Sequence, residues 1–454
     1  MAESRARHVW RLGCAALFLA FGFFALSLRT SHGQTVITLD PSQTFQTFHD
    51  WEATAVLLGT DEEQARRLEL FDRLYQDIGA TRLRIGVFAG DENTTRSMQR
   101  FLSGEVDMEQ WRALRFATVN DDADPFHINP AGFDFYDLDW KIDNTVLPML
   151  ERAKARGERL TLNLNYVAFT KQIVGGEYIH IDPEEYAEFI LAAFLHLKEK
   201  YGLVPDYFEP LLEPDNSPHW DPVTLGRAVR AATVRLNGAG FHPGVILPSV
   251  ADASLALTWL DGIAQTPGAL DGLAELSYHR YKGAGPQVLQ AIGTRAAKLG
   301  VATSMLEYWF GNATHDLLFQ DLTLANVSAW QPRATYGFHR IAEGGQIVLQ
   351  DEMRFNRLYF GAIRPGDVRI GATSSNPRAL APVAFRKPGG ALSVVLEASG
   401  PASGIVSGLP EGDYLIETAH AGGDIFPIRG HAGPEGTIAV VTPAVGVIAI
   451  RPTN

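Results

Sequence analysis

The sequence has very little of the chemistry that sulfur and metal ions provide. Its 454 residues include a single cysteine, Cys14, and one cysteine cannot close a disulfide within the chain. The histidines, the cysteine and the acidic residues show no spacing that is typical of a metal site. We therefore expect a protein without disulfides, without a bound metal and without a cofactor.

Positive charge is also scarce. The chain has 39 lysines and arginines against 52 aspartates and glutamates, and its formal net charge at pH 7 is −13. Such a chain is poorly suited to nucleic acid or to an anionic membrane surface, because both carry negative charge. A strongly anionic polymer is disfavoured for the same reason, unless a local basic site overrides the net charge.

Residues 1–33 differ from the rest of the chain. Three arginines precede an apolar run from Leu12 to Leu28, and the small residues Ser31 and Gly33 stand just before Gln34. This pattern is typical of a secretory signal peptide, so we expect a secreted or periplasmic protein that begins near Gln34 and meets the membrane only through this segment. The alternative is an uncleaved membrane anchor, since 17 apolar residues nearly span a bilayer.

Most of the chain alternates between strand-like apolar runs and amphipathic helical runs. Eight strand signals occur, at residues 45–52, 81–87, 159–166, 207–213, 244–248, 273–281, 301–307 and 328–332. This alternation predicts parallel strands with crossover helices, and eight such units predict an α/β protein with a (β/α)8 TIM barrel over residues 45–362. The long polar insertions at 91–137 and 167–181 are of the kind that forms a wall or a lid beside a site.

The pattern of the sequence changes after the predicted barrel. Short β-branched runs separated by glycine and proline continue to the carboxyl terminus and predict an antiparallel β-sandwich. Near the amino terminus, Thr35 to Leu39 alternates like a strand and precedes the first barrel strand without a helix between them. We therefore assign residues 34–44 and 363–454 to one C-terminal β-sandwich domain.

Two of the predicted barrel strands end in a glutamate. The strand at 207–213 ends in Glu213, and Pro214 follows it, so regular pairing should stop there. The strand at 301–307 ends in the same way at Glu307. Two glutamates at the carboxyl ends of barrel strands can face each other across a cleft, as cleavage of a glycosidic bond requires. The alternative for each is a strand-end glutamate in a surface ion pair.

Four short motifs, in this order and spacing, resemble those of the clan A glycoside hydrolases, and the layout resembles glycoside hydrolase family 30. The motifs are Leu212-Glu213-Pro214, His279-Arg280-Tyr281, Leu306-Glu307-Tyr308 and Ile363-Arg364-Pro365-Gly366. The resemblance implies a barrel joined to a β-sandwich and a retaining double displacement on a β-linked carbohydrate. It implies that Glu213 is the acid/base and that Glu307 is the nucleophile.

One position departs from this resemblance. The clan usually has an asparagine before the acid/base glutamate, where it bonds the 2-hydroxyl of the sugar, and here that position is Leu212. Another donor, such as Asn163, Asn165 or Asn216, could replace it, or the sugar could carry a different 2-substituent. The third alternative is a protein that hydrolyses poorly or not at all.

The resemblance also implies roles beside the nucleophile. Arg84 lies where clan members place an arginine that orients the nucleophile and keeps it ionised, and a structural ion pair is its alternative. The hydroxyl of Tyr281 could donate to Glu307. We expect His279 to be a polar residue of the cleft wall rather than an acid or base.

Aromatic residues lie at or just after several predicted strand ends: Trp51, Tyr166, Trp220, Trp309 and Trp330. Flat aromatic faces stack on the apolar faces of sugar rings, while carboxylates and amides bond the hydroxyls. We predict that all but Trp220 contact substrate, although core packing is the alternative for each and we expect it for some of them. Asp50 and Glu52, at the tip of the first barrel strand, could bond sugar hydroxyls.

These residues predict a secreted retaining glycoside hydrolase that acts on β-linked oligo- or polysaccharides. The second hypothesis, which Leu212 keeps open, is a carbohydrate-binding protein on the same scaffold that has lost catalysis. The third is a barrel enzyme of another class. A Schiff-base aldolase would need a lysine at a strand end, and the nearest is Lys282, just past the sixth barrel strand.

Overall fold

The computed structural model of the protein describes residues 34–56 and 60–453. The predicted signal segment, residues 1–33, lies outside the described residues, and so does Cys14. Within the described ranges, no helix combines the length and the apolar character that crossing a bilayer requires.

Eight parallel strands form a closed barrel. The first strand of the chain, β1 (Thr35–Thr47), belongs to another sheet. The barrel strands are β2 (Asp50–Ala55), β3 (Arg82–Phe88), β4 (Thr161–Val167), β5 (Tyr207–Glu209), β6 (Gly244–Asp252), β7 (Leu273–Lys282), β8 (Ala302–Met305) and β9 (Ala329–Trp330). Each pairs with the next, and β9 pairs with β2 to close the ring. The predicted (β/α)8 barrel is confirmed.

Several barrel strands differ from their predicted extents, and β8, for example, ends at Met305 rather than at Glu307. The structure places Phe45, Gln46 and Thr47 in β1, because this stretch pairs with a strand of the other sheet, and the barrel begins only at Asp50. The strand β5 ends at Glu209 rather than at Glu213. The next residue is Pro210, which has no backbone N–H to donate.

Twelve α-helices connect and cover the strands of the described chain. They are α1 (Asp61–Ala65), α2 (Arg67–Arg73), α3 (Ser97–Leu102), α4 (Met108–Leu114), α5 (Tyr136–Lys141), α6 (Leu147–Ala155), α7 (Pro183–Tyr201), α8 (Pro222–Gly238), α9 (Ala256–Ile263), α10 (Pro286–Leu299), α11 (His315–Gln320) and α12 (Met353–Ala362). The two longest helices, α7 and α8, are capped at their amino ends by Asp182 and Asp221. The carboxylates of these aspartates accept hydrogen bonds from amides of the first turn. Gly202 and Gly300 end α7 and α10 in the left-handed conformation, which favours glycine.

The two polar insertions form one wall above the barrel. Helices α3 and α4 lie in the first insertion and enclose a small core of their own around Met98, Val106 and Trp111. The amide of Thr118 in this insertion donates to the carbonyl of Glu177 in the second, at 2.9 Å. The insertions are therefore joined to each other, and besides apolar side chains they bury polar ones such as Glu92 and His180, which pair at 2.7 Å.

A second sheet contains nine strands. A short hairpin, β10 (His339–Ile341) and β11 (Ile347–Leu349), precedes it and was not predicted. The sheet joins β1 to β12 (Val368–Ser374), β13 (Leu380–Arg386), β14 (Leu392–Ala398), β15 (Ala402–Ser407), β16 (Gly412–His420), β17 (Gly423–Ala432), β18 (Thr437–Thr442) and β19 (Gly446–Pro452).

This sheet folds over on itself. Its strand order is β17-β16-β19-β14-β13-β12-β1-β15-β18, and the two end strands, β17 and β18, contact each other. All neighbours are antiparallel except β1 and β15, which run parallel. The inward side chains form a core separate from that of the barrel, so the predicted C-terminal β-sandwich is confirmed with one parallel pair.

Candidate active site

Glu213 lies just beyond β5, at the carboxyl end of the barrel. Although Pro210 interrupts the strand, the amide of Leu212 donates to the carbonyl of Tyr166 in β4, at 2.9 Å. The amide of Glu213 donates to the carbonyl of Ser249 in β6, at 3.0 Å. The segment therefore still bridges the two neighbouring strands, and these bonds fix the position of Glu213 beyond the end of regular pairing.

The backbone at Glu213 is strained. Its φ of 49° and ψ of 60° are in the left-handed region, which residues other than glycine seldom adopt. The surroundings hold this conformation, because the carboxylate of Asp215 accepts hydrogen bonds from the amides of Ala251 (2.8 Å) and Asp252 (2.9 Å). Strain of this kind persists where neighbouring contacts impose it, and it concentrates at functional sites.

Glu307 lies two residues beyond β8, and both of its carboxylate oxygens have partners. The guanidinium of Arg84 in β3 donates to Oε2, and the hydroxyl of Tyr281 in β7 donates to Oε1 at 2.8 Å. Arginine provides a delocalised positive charge next to the carboxylate, and the tyrosine sets its rotation. The carboxylate is therefore held in one orientation by two different strands.

Glu213 is held in a similar way by His279 and Asn216. Nδ1 of His279 lies 3.0 Å from Oε1 of Glu213, and the amide nitrogen of Asn216 donates to Oε2 at 2.7 Å. One carboxylate oxygen of Glu213, one of Glu307 and a ring nitrogen of His279 all lie within 4.8 Å of one another. So close an approach of two carboxylate oxygens is compatible with the short carboxyl separation of about 5–5.5 Å that covalent glycosidases use.

The pKa values of Glu213 and His279 shift in opposite directions. Burial raises the pKa of Glu213, but the hydrogen bonds from His279 and Asn216 and the charges of His279 and Arg84 outweigh burial and bring the pKa below its ordinary value. Burial lowers the pKa of His279, but the hydrogen bond to Glu213 and the charges of Glu307 and Glu213 raise it overall. These shifts favour an ion pair between Glu213 and His279, whereas a general acid at this position needs a pKa high enough to hold its proton.

Arg84 belongs to a chain of buried charges inside the barrel. Its Nη1 lies 3.5 Å from Oε1 of Glu209. In the next layer towards the amino ends of the strands, Arg82 contacts Glu52, Glu275 (2.7 Å) and Asp50 (3.7 Å). Burial raises the pKa of Asp50 to about 7, against the opposing charge of Arg82. The amide of Asn163 joins the two layers, because it donates to Glu52 at 3.3 Å and to Glu209 at 3.2 Å.

Sequence reasoning missed the inner members of this chain, Arg82, Glu209 and Glu275. A signal was available in β3, where Arg82 and Arg84 are two residues apart within an otherwise apolar strand. Residues at this spacing share one face of a strand. In a barrel strand whose outer face is covered by helices, two such arginines point to an interior that must also contain acidic partners.

The two glutamates lie in a cleft with a volume of about 970 Å³. One part of its lining comes from the insertions and the strands beneath them, and includes Phe88, Met98, Trp111, Phe116 and Phe169. Another part comes from the end of β7 and from the segments after β8 and β9, and includes Tyr281, Trp309, Phe310 and Tyr336. Aromatic faces from two parts of the chain and a few polar groups around the carboxylates are typical of a carbohydrate site.

Leu212 joins an apolar cluster beside Glu213. It packs with Phe116 of the first insertion and Val167 of β4 and is 8% exposed. The position that the resemblance reserves for an asparagine amide is therefore part of a hydrophobic wall. Asn165 and Asn216 line the cleft nearby, and their amide nitrogens already donate to the carbonyl of Glu209 (3.4 Å) and to Glu213 (2.7 Å), which leaves each one further amide hydrogen for a sugar. Asn163, the third alternative donor, is fully buried outside the cleft lining.

The structure brings most of the predicted site residues together. Seven line the cleft: Arg84, Asn165, Glu213, Asn216, Tyr281, Glu307 and Trp309. The expected place of His279 in the cleft wall needs correction, because this side chain is fully buried beneath the cleft, where it contacts Glu213. Four others, Asp50, Trp51, Tyr166 and Trp330, lie elsewhere.

The predicted substrate contacts of Asp50 and Trp51 need correction. The predicted strand at 45–52 had Asp50 and Trp51 at its carboxyl end. The observed strand β2 begins at Asp50, so both residues lie at the amino end of the barrel, away from the cleft. Trp51 is fully buried, and its indole N–H donates to the carbonyl of Ile363 at 2.8 Å. Asp50 and Glu52, which were expected to bond sugar hydroxyls, are instead buried beside Arg82.

Tyr166 and Trp330 also need correction, because they are core residues. The hydroxyl of Tyr166 contacts Nδ1 of His180 at 2.6 Å, and the indole N–H of Trp330 donates to Asp321 at 2.9 Å. Both side chains are almost completely buried. Position near a strand end does not determine whether a side chain faces the cleft or the surrounding helices, since alternate residues of a strand point to opposite faces.

The same donor atoms could in principle bind a metal ion. Glu213, His279 and Glu307 each offer one ligand atom within this small space. The guanidinium of Arg84 already contacts Glu307, so a bound cation would face a positive charge at close range. The expectation of a site without a metal stays a prediction.

Comparison with known proteins yields matches only among solved structures. No protein-family profile matches the sequence, and no curated protein matches it significantly. The catalytic domain of GH30 xylanase C from Talaromyces cellulolyticus superposes with a TM-score of 0.66 at 17% identity, covering 92% of this chain and 100% of that one. A GH30 endoxylanase from Clostridium papyrosolvens C71 gives 0.64 at 15% identity, covering 91% and 99%.

The chain has the fold of these glycoside hydrolases. A GH39 enzyme from Xanthomonas axonopodis pv. citri matches more distantly, with a TM-score of 0.52 at 12% identity over 94% of this chain and 99% of that one. The expected resemblance to clan A, and to family 30 in layout, is therefore confirmed at the level of the fold. At such low identity the activity must be argued from the site itself.

Proposed function

We propose that this protein is a retaining glycoside hydrolase that cleaves β-linked glycans by double displacement. The observation that carries the proposal is the pair Glu213 and Glu307, which lie in one cleft at the carboxyl ends of the barrel strands with oxygens within 4.8 Å. Known neighbours in fold, the GH30 xylanases, support it. On the pattern of residues 1–33, we also propose that the protein is exported.

In the first step, Glu307 attacks the anomeric carbon while Glu213 gives its proton to the leaving oxygen. A bond forms between a Glu307 oxygen and the sugar, and the glycosidic bond breaks. Arg84 and Tyr281 hold the Glu307 carboxylate for this attack. Glu213 must carry this proton when it acts as the acid, although the hydrogen bond and the charge of His279 lower its pKa.

In the second step, water replaces the enzyme on the sugar. Formation of the glycosyl ester removes the negative charge of Glu307, and Glu213, left as a carboxylate, accepts a proton from the attacking water. The water oxygen then bonds to the anomeric carbon from the face that the first leaving group occupied, and Glu307 is released. Two inversions at one carbon give net retention of configuration.

A carbohydrate-binding protein that has lost catalysis is the second candidate. Two observations favour it: Leu212 packs in an apolar cluster where an amide is expected, and the pKa of Glu213 lies below its ordinary value although an acid needs a bound proton. Such a protein would use the same cleft and the same aromatic faces. It would bind glycans without turnover.

The test is a panel of β-linked substrates with purified protein that begins at Gln34. The panel contains aryl β-glycosides and β-1,3-, β-1,4- and β-1,6-linked gluco-oligosaccharides together with β-1,4-linked xylo-oligosaccharides. The proposal expects cleavage of at least one class and a first-formed product with the β configuration, read by proton NMR. An α product, or binding of a glycan with no cleavage, would contradict the proposed activity, and the second outcome would support the binding protein.

We predict that His279→Gln moves the alkaline limb of the kcat/KM profile to higher pH. The positive charge of His279 lowers the pKa of Glu213, so the protonated acid is lost at a low pH in the wild type. Removing the charge raises the pKa of Glu213, and the acid stays protonated to a higher pH. The measurement is kcat/KM from about pH 3 to 9.

The matched control for this change is His315→Gln. His315 also pairs with a glutamate, Glu397, at 2.6 Å, and lies outside the cleft. Its substitution should leave the alkaline limb in place. A limb that stays fixed in His279→Gln, or moves equally in the control, would show that His279 does not set the protonation of Glu213.

A further inference from the structure

Phe310 is the most exposed large apolar side chain of the described residues. It is 90% exposed and stands three residues after Glu307, in the segment between β8 and α11. Single exposed apolar residues are common on protein surfaces and by themselves need no explanation. Two further features distinguish Phe310 from such a residue.

The first feature is that the backbone around Phe310 is held in place. The guanidinium of Arg333, which is 9% exposed, donates to the carbonyl of Tyr308 and to the carbonyl of Gly311 at 2.7 Å. Glu352 pairs with the same guanidinium at 2.8 Å. A β-carbon at Gly311 would lie 2.0 Å from the ring of Tyr308, so a larger residue there would have to displace that ring. The turn therefore presents Phe310 on a supported backbone.

The second feature is the position of the ring in the cleft. Phe310 belongs to the cleft lining, and its ring centre lies 6.0 Å from that of Tyr281, with the two planes inclined by 30°. Tyr281 contacts Glu307 through its hydroxyl and Phe310 through its ring. Tyr281 thus lies between Phe310 and the carboxylate of Glu307. The Phe310 ring is open to the cleft and to solvent.

From these features we infer that Phe310 is a stacking platform for a sugar ring beyond the one that is cleaved. The inference rests on the proposed function and extends it. The substrate class is then a glycan chain that continues past the cleaved sugar, rather than a small glycoside. A flat apolar face on a supported turn binds a sugar ring with little loss of conformational entropy, because the protein side is already ordered.

The experiment compares Phe310→Ala, Phe310→Leu and Phe310→Trp with the wild type. Each is assayed on an aryl β-glycoside and on the two- to six-unit oligosaccharides of the panel, and binding of the same oligosaccharides is measured by calorimetry in a Glu307→Gln background. Phe426→Ala is the matched control, since Phe426 is 88% exposed but lies on β17, outside the cleft.

Phe310→Ala and Phe310→Leu should lose roughly three- to tenfold more kcat/KM and affinity on hexasaccharides than on the shortest substrate, which corresponds to one aromatic contact. Phe310→Trp should keep the preference for long chains, because it keeps a flat face. Phe426→Ala should change nothing. Three results would overturn the platform. They are an equal loss of kcat/KM at every oligosaccharide length, full wild-type affinity for hexasaccharides in Phe310→Leu, and no binding of any oligosaccharide by the Glu307→Gln parent.

Failure of the platform and failure of the proposed function give different results. If the wild type cleaves a glycan and Phe310→Ala shows no dependence on chain length, only the platform is wrong. If no substrate is cleaved but long glycans bind through Phe310, the platform stands and the hydrolase proposal fails.

Discussion

Glu307→Gln is expected to lower kcat by roughly 10⁴-fold or more on every substrate that the protein cleaves. The amide has nearly the shape of the carboxylate but cannot form the glycosyl ester, so covalent catalysis is lost. The contacts of Tyr281 and Arg84 are made to the two oxygens, and an amide retains one of these. Binding of glycan should therefore decrease much less than turnover, and both quantities should be measured on the same preparation.

Glu397→Gln is the control for this substitution. Glu397 accepts hydrogen bonds from Tyr359 and from His315, so its surroundings resemble those of the site, but it lies in β14, outside the cleft. Its substitution should leave kcat within about twofold, since no step of the reaction involves it. Wild-type activity in Glu307→Gln would refute its assignment as the nucleophile.

The second large effect is expected from Glu213→Ala, and it depends on the leaving group. On glycans, whose leaving oxygen needs a proton, loss of the general acid should reduce kcat by about 10²–10⁴-fold. On aryl glycosides with a good leaving group the first step should survive, and the glycosyl ester on Glu307 should accumulate because no base activates water. A burst of released phenol followed by slow turnover is the expected kinetic signature.

Added azide should restore turnover of the activated substrate by Glu213→Ala. Azide is an anion that needs no base, and the space left by the carboxylate admits it to the ester, which gives a β-glycosyl azide. The product configuration is read by NMR. An α-azide from this variant would contradict the assignment of acid/base and nucleophile, and equal losses on aryl glycosides and glycans would show that Glu213 does not act as the acid.

The sequence alone was enough to predict the scaffold. Alternating strand and helix signals over residues 45–362 reflect local periodicity, and the order of eight such units leaves few topologies besides a parallel barrel. The positions of Glu213 and Glu307 follow from the same pattern, because the carboxyl ends of all barrel strands meet at one end. No knowledge of distant contacts was needed for either prediction.

The tertiary structure decided which side chains face the cleft. Trp51, Tyr166 and Trp330 carry the same local signal as Trp309, an aromatic residue near a strand end, yet the first three are buried in the core. A shift of a few residues in the start of β2 was enough to move Trp51 to the far end of the barrel. Strand register and side-chain direction depend on pairing between distant segments, which local periodicity does not encode.

The tertiary structure also decided the electrostatics of the two glutamates. The low pKa of Glu213 arises from His279, which is 66 residues away in the sequence, and the orientation of Glu307 from Arg84, which is 223 residues away. The hydrophobic wall around Leu212 likewise requires Phe116 from an insertion whose sequence is largely polar. Charge and burial act through space over a few ångströms. The sequence therefore identified the glutamates, and the fold determined which charged and apolar groups each of them contacts.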